Sequence, residues 1–308
     1  MKEAIKQLSR TLFGPPHTWR YAEDGRRQSM DLRARLDDAF RWVSDAGRSC
    51  PEAPVFIFSA GWRSGSTLLQ RMLMQHNDDI VIWGEPYHLS NIFESMVGQF
   101  RAFTVDWPKK KHFLSKKVQK NLADQWIANL YPDVDYLLNA HRSFLYSLFG
   151  EPAKTQGYSR WGVKEVRLTI DHARYVRALY PNARIIFLCR NPLESYRSFF
   201  KVYDAWFEKW PDTVVATPYA FGRHWAKLTE GYVKNRREVD AFFIKYETLD
   251  SAQTVEQLAQ YLGWTIPRAS SLARIVGENT DEVKPKVPWL DGIVLGQVTA
   301  SARRLTGY

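Results

Sequence analysis

Only two cysteines, Cys50 and Cys189, occur among 308 residues, and they stand far apart. That scarcity excludes a disulfide-stapled secreted scaffold. Without a C-x-x-C pair or a His/Cys cluster it also leaves no zinc site, and no metal is expected. A reducing compartment is the natural setting. Long apolar runs are missing as well. No stretch of about 18 apolar residues exists to span a bilayer, and the opening MKEAIKQLSRTLFGPP lacks the apolar core of a signal peptide. The expected location is cytoplasmic. Proline and glycine are modest at 15 and 17, with no biased tract, so disorder and fibrous repeats are excluded too.

Acidic residues are outnumbered: 33 Asp and Glu face 43 Lys and Arg, a net charge of +10. Such an excess favours polyanionic partners, whether nucleic acid, anionic lipid, acidic glycan or a phosphate-rich nucleotide. The 45% of hydrophobic residues suffices for a sizeable core.

Residues 1–50 read as a helical N-terminal extension. Ile5, Leu8 and Leu12 recur at helical spacing before Gly14, and Met30, Leu32, Leu36, Phe40 and Val43 do so less regularly before Gly47. These faces cap a main domain in the plainer reading, although a basic amphipathic stretch also admits peripheral membrane contact. Residues 51–308 read as one α/β domain. Apolar runs at 55–58, 80–83, 162–166, 185–188 and 242–246 predict strands. Between them, periodic stretches at 66–76, 172–180, 192–205, 218–238 and 254–262 predict helices. Alternation of this kind implies a parallel sheet flanked by helices. Residues 86–158 break the alternation as an aromatic-rich, mainly helical insertion carrying Lys109, Lys110 and Lys111; its length suits a subdomain covering a substrate site.

The segment Ser59-Ala60-Gly61-Trp62-Arg63-Ser64-Gly65-Ser66-Thr67 joins the first strand to a helix. Glycines that permit tight turns, followed by a helix N-terminus, form a phosphate cradle of the P-loop type. The ATP-binding pattern G-x-x-x-x-G-K-[ST] is not matched. The spacing is one residue shorter, Ser66 stands in the lysine position, and Arg63 supplies the cation. A second strand-to-helix junction reads Cys189-Arg190-Asn191-Pro192-Leu193-Glu194, with Ser198 two turns into the helix. Asn191 suits the N-cap, Pro192 the first helical position, and Glu194 the spacing of a capping box, so Arg190 is held at the junction.

These two elements resemble the sulfotransferase superfamily, whose 5′-phosphosulfate loop reads R-S-G-[ST]-T-L and whose 3′-phosphate motif is an arginine followed eight residues later by a serine. The likeness is strongest to the tyrosylprotein and carbohydrate branches and covers residues 54–290, with gaps across 86–158. It implies the co-substrate 3′-phosphoadenosine 5′-phosphosulfate (PAPS), bound by Arg63, Ser64, Gly65, Ser66 and Thr67 at one end and by Arg190 and Ser198 at the other. It further implies that Tyr246, in Lys245-Tyr246-Glu247, contacts the nucleotide and that Lys284 touches phosphate.

Transfer of a sulfuryl group needs a base for the attacking hydroxyl and a cation for the departing phosphate. Glu85, in Trp83-Gly84-Glu85-Pro86, falls at the end of the second strand and resembles the catalytic glutamate of the tyrosylprotein branch. His88 is the alternative base, as a histidine serves other branches. Lys164 in Gly162-Val163-Lys164-Glu165 is a lysine within a strand, costly unless it meets an anion. The resemblance makes it the residue that stabilises the leaving phosphate, beside Arg63. Arg63, Glu85, Lys164, Arg190 and Tyr246 all fall near carboxyl ends of predicted strands, where open α/β sheets bind ligands.

The expected acceptor is a hydroxyl of a carbohydrate or glycosylated metabolite, with a phenolic or tyrosine-like acceptor as the alternative. A P-loop kinase lacks its loop lysine here. A nucleic-acid-binding protein would use Lys109–Lys111 and the pair Lys116 and Lys117, yet no nucleic-acid module is recognisable and lysine runs are commonly solvated faces.

Overall fold

The computed structural model describes residues 31–75, 77–86, 92–114, 127–201, 215, 217–271 and 287–308. The helix expected over Ile5–Leu12 lies outside these, as do Lys116 and Lys117. The chain divides into two compact units, Met1–Ser44 with Ser95–Leu137 and Asp45–Glu94 with Leu138–Tyr308.

The second unit holds all five expected strands: β1 (Val55–Ser59), β2 (Ile80–Trp83), β3 (Arg160–Glu165), β4 (Arg184–Cys189) and β5 (Ala241–Lys245). They form one parallel sheet in the order β2-β3-β1-β4-β5. The helices, in chain order, begin with α1 (Leu32–Phe40), α2 (Asp45–Arg48), α3 (Ser66–Met74) and α4 (Ile92–Gly98). Next come α5 (Val134–Leu145), α6 (Glu151–Thr155), α7 (Ile170–Leu179) and α8 (Pro192–Lys201). The last four are α9 (Pro218–Asn235), α10 (Ala252–Leu262), α11 (Trp289–Val298) and α12 (Ala300–Thr306). None of the described helices is long and apolar enough to cross a membrane.

Helix ends follow their caps. α7 starts two residues ahead of its apolar pattern because Thr169 and His172 form a reciprocal capping box. α10 likewise starts at Ala252 because the Ser251 side chain accepts from the Thr254 N–H. α9 is an α-helix only to Asn235, the remainder of the expected span tightening into a 3₁₀ turn over Arg236–Val239.

β1 is buried along its whole length, which is why its sequence shows no alternation. Its two faces nonetheless meet different neighbours. Val55 and Ile57 join Ile80, Ile82, Ile186 and Leu188 beneath Leu69, Met72 and Leu73 of α3 and Leu258 of α10, an aliphatic layer. Phe56 and Phe58 face rings: Phe56 meets Phe93, Trp161 and Tyr180, while Phe58 meets Phe187, which stacks on Tyr232 at 4.3 Å. Each such fully buried side chain contributes about 2 kcal/mol. The chain leaves β1 through α3 towards β2 at one edge, and leaves β3 through α7 towards β4 on the other side of β1. Connections running in opposite directions open a crevice at the carboxyl end of β1.

The first unit is built on α1, whose Phe40 packs edge-on against Phe100 at 5.7 Å. Trp42 packs on Phe113, and Arg35 donates to the Phe103 carbonyl. Lys109, Lys110 and Lys111 are exposed, while the adjoining His112 is buried beside Trp107 and Tyr131.

Candidate functional site

The loop after β1 carries three positive φ angles at alternate residues: Gly61 at 80°, Arg63 at 59° and Gly65 at 87°. A chain that reverses hand at every second residue turns successive N–H groups into a concavity that suits an anion. Glycine is required at position 65 for a second reason. A Cβ there would lie 2.1 Å from Cδ2 of Tyr246, so the tyrosine ring closes directly over the loop. The Ser64 side chain is buried and donates to the carbonyls of Ala60 and Gly61, both at 3.0 Å, bracing the turn from within. Ser66, in the position where an ATP-binding loop carries lysine, is a buried residue opening α3, and Thr67 beside it is exposed.

The second basic element meets this loop. Arg63 Nε donates to Ser198 Oγ at 3.0 Å, and Arg190 Nη1 donates to the Arg63 carbonyl at 3.2 Å. Residues 127 and 135 positions apart in sequence thus share one location. The Arg190 guanidinium lies 4.2 Å from the centroid of the Tyr246 ring, a cation–π contact. Its Nε is buried with no hydrogen-bond partner among the described residues. Burial, and after it the Arg190 charge, hold the Arg63 pKa below the ordinary arginine value. Two guanidiniums with no carboxylate between them among the described residues make a field that an anion relieves.

The junction holding Arg190 is capped differently from the expectation. Asn191 Oδ1 accepts from the N–H groups of Leu193 and Glu194, as an N-cap should. Glu194 does not complete a capping box, because its carboxylate pairs with Arg197 one turn along. The Asn191 N–H instead donates to Glu247 Oε1 at 2.9 Å.

Glu85 and Lys164 form the third part. β2 ends where the Trp83 indole donates to the Phe149 carbonyl and Gln70 of α3 grips the Ile82 carbonyl, which delivers Glu85 half-buried just beyond the strand. Lys164 sits in β3 opposite Ile57 of β1, and β3 is an interior strand, so a lysine facing water at a sheet edge is excluded. The residue is 5% exposed. Its ammonium donates to Glu85 Oε1 at 2.6 Å, the anion that a buried lysine demands. The next residue, Glu165, turns to the opposite face and forms a separate buried ion pair with Arg167 at 2.6 Å.

His88 and Lys284 lie outside the described residues. Three residues to which the sequence assigned no role belong to the surroundings of Arg190: Trp225, Glu247 and Tyr308. Only Glu247, next to Tyr246, carried any local signal.

Fold and loop together define an α/β protein of the P-loop type. The family model described as the sulfotransferase family matches residues 54–268. The chain belongs to that family, and it is a transferase. Solved structures with a similar fold include the sulfotransferase domain from the curacin biosynthetic pathway, at 17% identity and a TM-score of 0.48 over 84% of this chain and 99% of that one. Sulfotransferase STF9 from Mycobacterium avium aligns at 11% identity and a TM-score of 0.42, over 91% and 85%. Mouse sulfotransferase SULT7A1 complexed with PAP aligns at 13% identity and a TM-score of 0.43, over 87% and 94%. No curated protein matches by sequence.

Proposed function

We propose that the chain transfers the sulfuryl group of PAPS to a hydroxyl of a carbohydrate or glycosylated metabolite. The observation that carries this reading is the meeting of the Arg63 loop with Arg190 and Ser198, two basic elements that pair with no acid among the described residues. One doubly phosphorylated nucleotide satisfies both, the loop N–H groups and Arg63 taking the 5′-phosphosulfate and Arg190 with Ser198 the 3′-phosphate. Tyr246, closed over Gly65 and stacked on Arg190, flanks the nucleotide.

Glu85 then acts as the base. Its Oε1 is taken by Lys164, leaving Oε2 to accept the proton of the attacking hydroxyl. The hydroxyl oxygen forms a bond to sulfur as the sulfur–oxygen bond to the 5′-phosphate breaks. Lys164 and Arg63 offset the charge that returns to that phosphate, leaving 3′-phosphoadenosine 5′-phosphate (PAP). Arg63, Lys164 and the loop N–H groups supply the positive field, so chelator treatment should leave turnover unchanged within twofold.

The test is a panel of sugar and phenolic acceptors incubated with sulfate-labelled PAPS. Labelled sugar products with PAP released in equal amount support the reading. Label on phenols alone reassigns the acceptor, and label on neither overturns it.

A further inference from the structure

Arg190 is fixed through its backbone, and no carboxylate among the described residues pairs with its guanidinium. Its carbonyl accepts from the Trp225 indole at 3.0 Å, and the next N–H, that of Asn191, donates to Glu247 Oε1 at 2.9 Å. Both polar ends of the peptide unit region around Arg190 are therefore held by side chains from α9 and from the turn after β5. The other carboxylate oxygen of Glu247 accepts from the Tyr308 hydroxyl. Tyr308 follows the left-handed turn at Gly307, where φ is 70°, and its N–H donates to the Arg303 carbonyl at 3.0 Å. Lys245 secures the same turn, donating to the Thr306 carbonyl at 3.0 Å with its ammonium 5.0 Å from the Tyr308 ring centroid. Burial raises the Tyr308 hydroxyl's pKa, so it remains a donor throughout the range in which the protein is handled. Cys189, 3.8 Å from that hydroxyl, is pushed up to about 12 by burial and stays a neutral thiol.

We infer that Glu247 and Tyr308 are positioning residues that aim Arg190 at the donor's 3′-phosphate, so that the C-terminal turn sets the preference for a 3′-phosphorylated nucleotide. This rests on the reading of Arg190 proposed above. Glu247 replaces the missing half of the Asn191 capping box, and its own orientation is fixed by the Tyr308 hydroxyl. Without either group the Asn191 N–H loses an aligned acceptor, and the Arg190 side chain that starts one residue earlier loses its fixed origin.

The test is equilibrium titration of PAP and of AMP into wild type and three variants, with melting temperature recorded for each. Wild type should prefer PAP. Glu247→Ala should reduce the PAP-to-AMP affinity ratio about tenfold, the scale of one charge-assisted hydrogen bond. Tyr308→Phe, which keeps the ring, should reduce it about threefold at an unchanged melting temperature. Glu247→Gln, which keeps an acceptor for Asn191, should restore most of the ratio, and AMP affinity should hold throughout. Should wild type prefer PAP while Glu247→Ala and Tyr308→Phe keep the full ratio, the positioning role is overturned and the reading of Arg190 survives. A wild type that binds PAP and AMP equally overturns both. If Glu247→Ala does not fold, Tyr308→Phe alone decides.

Discussion

A lysine whose side chain is 7% exposed, bonded to a carboxylate that is 19% exposed, is the feature on which the proposed catalysis turns. Such a pair costs desolvation that its mutual attraction only partly returns, so removing one partner is far more damaging than never having had both. Glu85→Gln should lower kcat by at least about 100-fold, the range for loss of a general base. PAP affinity measured by titration should stay within threefold. Lys164→Met should lower kcat comparably and also leave Glu85 without its cation, whereas Glu85→Gln combined with Lys164→Met should melt higher than Lys164→Met alone. An additive loss of stability in the double variant would contradict the coupling. Lys164 was legible in the sequence because a charge in an otherwise apolar strand needs an explanation. Its partner was legible only as the residue closing the neighbouring strand; the contact itself depends on β2 lying beside β3, which no local pattern encodes.

At the scale of the element, the tight strand-to-helix turn after β1 was readable from its glycines, yet the reason for Gly65 was not. The Tyr246 ring over that position comes from a turn 181 residues later, so only the folded sheet order reveals it. Gly65→Ala should reduce PAP affinity by more than about tenfold and lower stability beyond the roughly 1 kcal/mol of left-handed strain. Gly157→Ala is the control, since its φ of 91° carries the same strain but a Cβ there meets nothing within 4 Å. Equal losses at the two sites would show that the ring contact is irrelevant. Cap chemistry was the weakest part of the sequence reading. Glu194 has the spacing of a capping box, but Arg197 one turn along competes for its carboxylate and wins, leaving Glu247 to serve the Asn191 N–H. Strand identity, by contrast, was fully legible, because runs such as Val55–Phe58 and Ile185–Leu188 are apolar on both faces only if both faces are covered.

For the molecule as a whole, two buried histidines among the described residues contribute to the acid limit of stability. Burial lowers the pKa of His141 and of His224 from 6.5 to about 4, His141 beside Tyr175 and His224 stacked on Trp62. The unfolded chain therefore binds protons between about pH 6.5 and 4 that the folded chain refuses, so stability falls as pH drops through that window and is flat above it. Melting temperature measured from pH 4.5 to 8 should follow this curve, and His224→Phe should flatten the acid limb while preserving stability at pH 7.5. A limb unchanged in that variant would assign the effect elsewhere. The net charge of +10 pointed towards an anionic partner, and Arg63 and Arg190 lie side by side, as the proposed site with two phosphate-binding ends requires. The account therefore turns on whether those ends grip one nucleotide. Isothermal titration of PAP and AMP into wild type and Arg190→Ala decides it: PAP should bind wild type at least about 100-fold more tightly than AMP, the value of one strong phosphate–arginine contact, and Arg190→Ala should bring PAP down to the affinity of AMP. Equal binding of the two nucleotides by wild type, or an Arg190→Ala variant that still prefers PAP to the same degree, would contradict it.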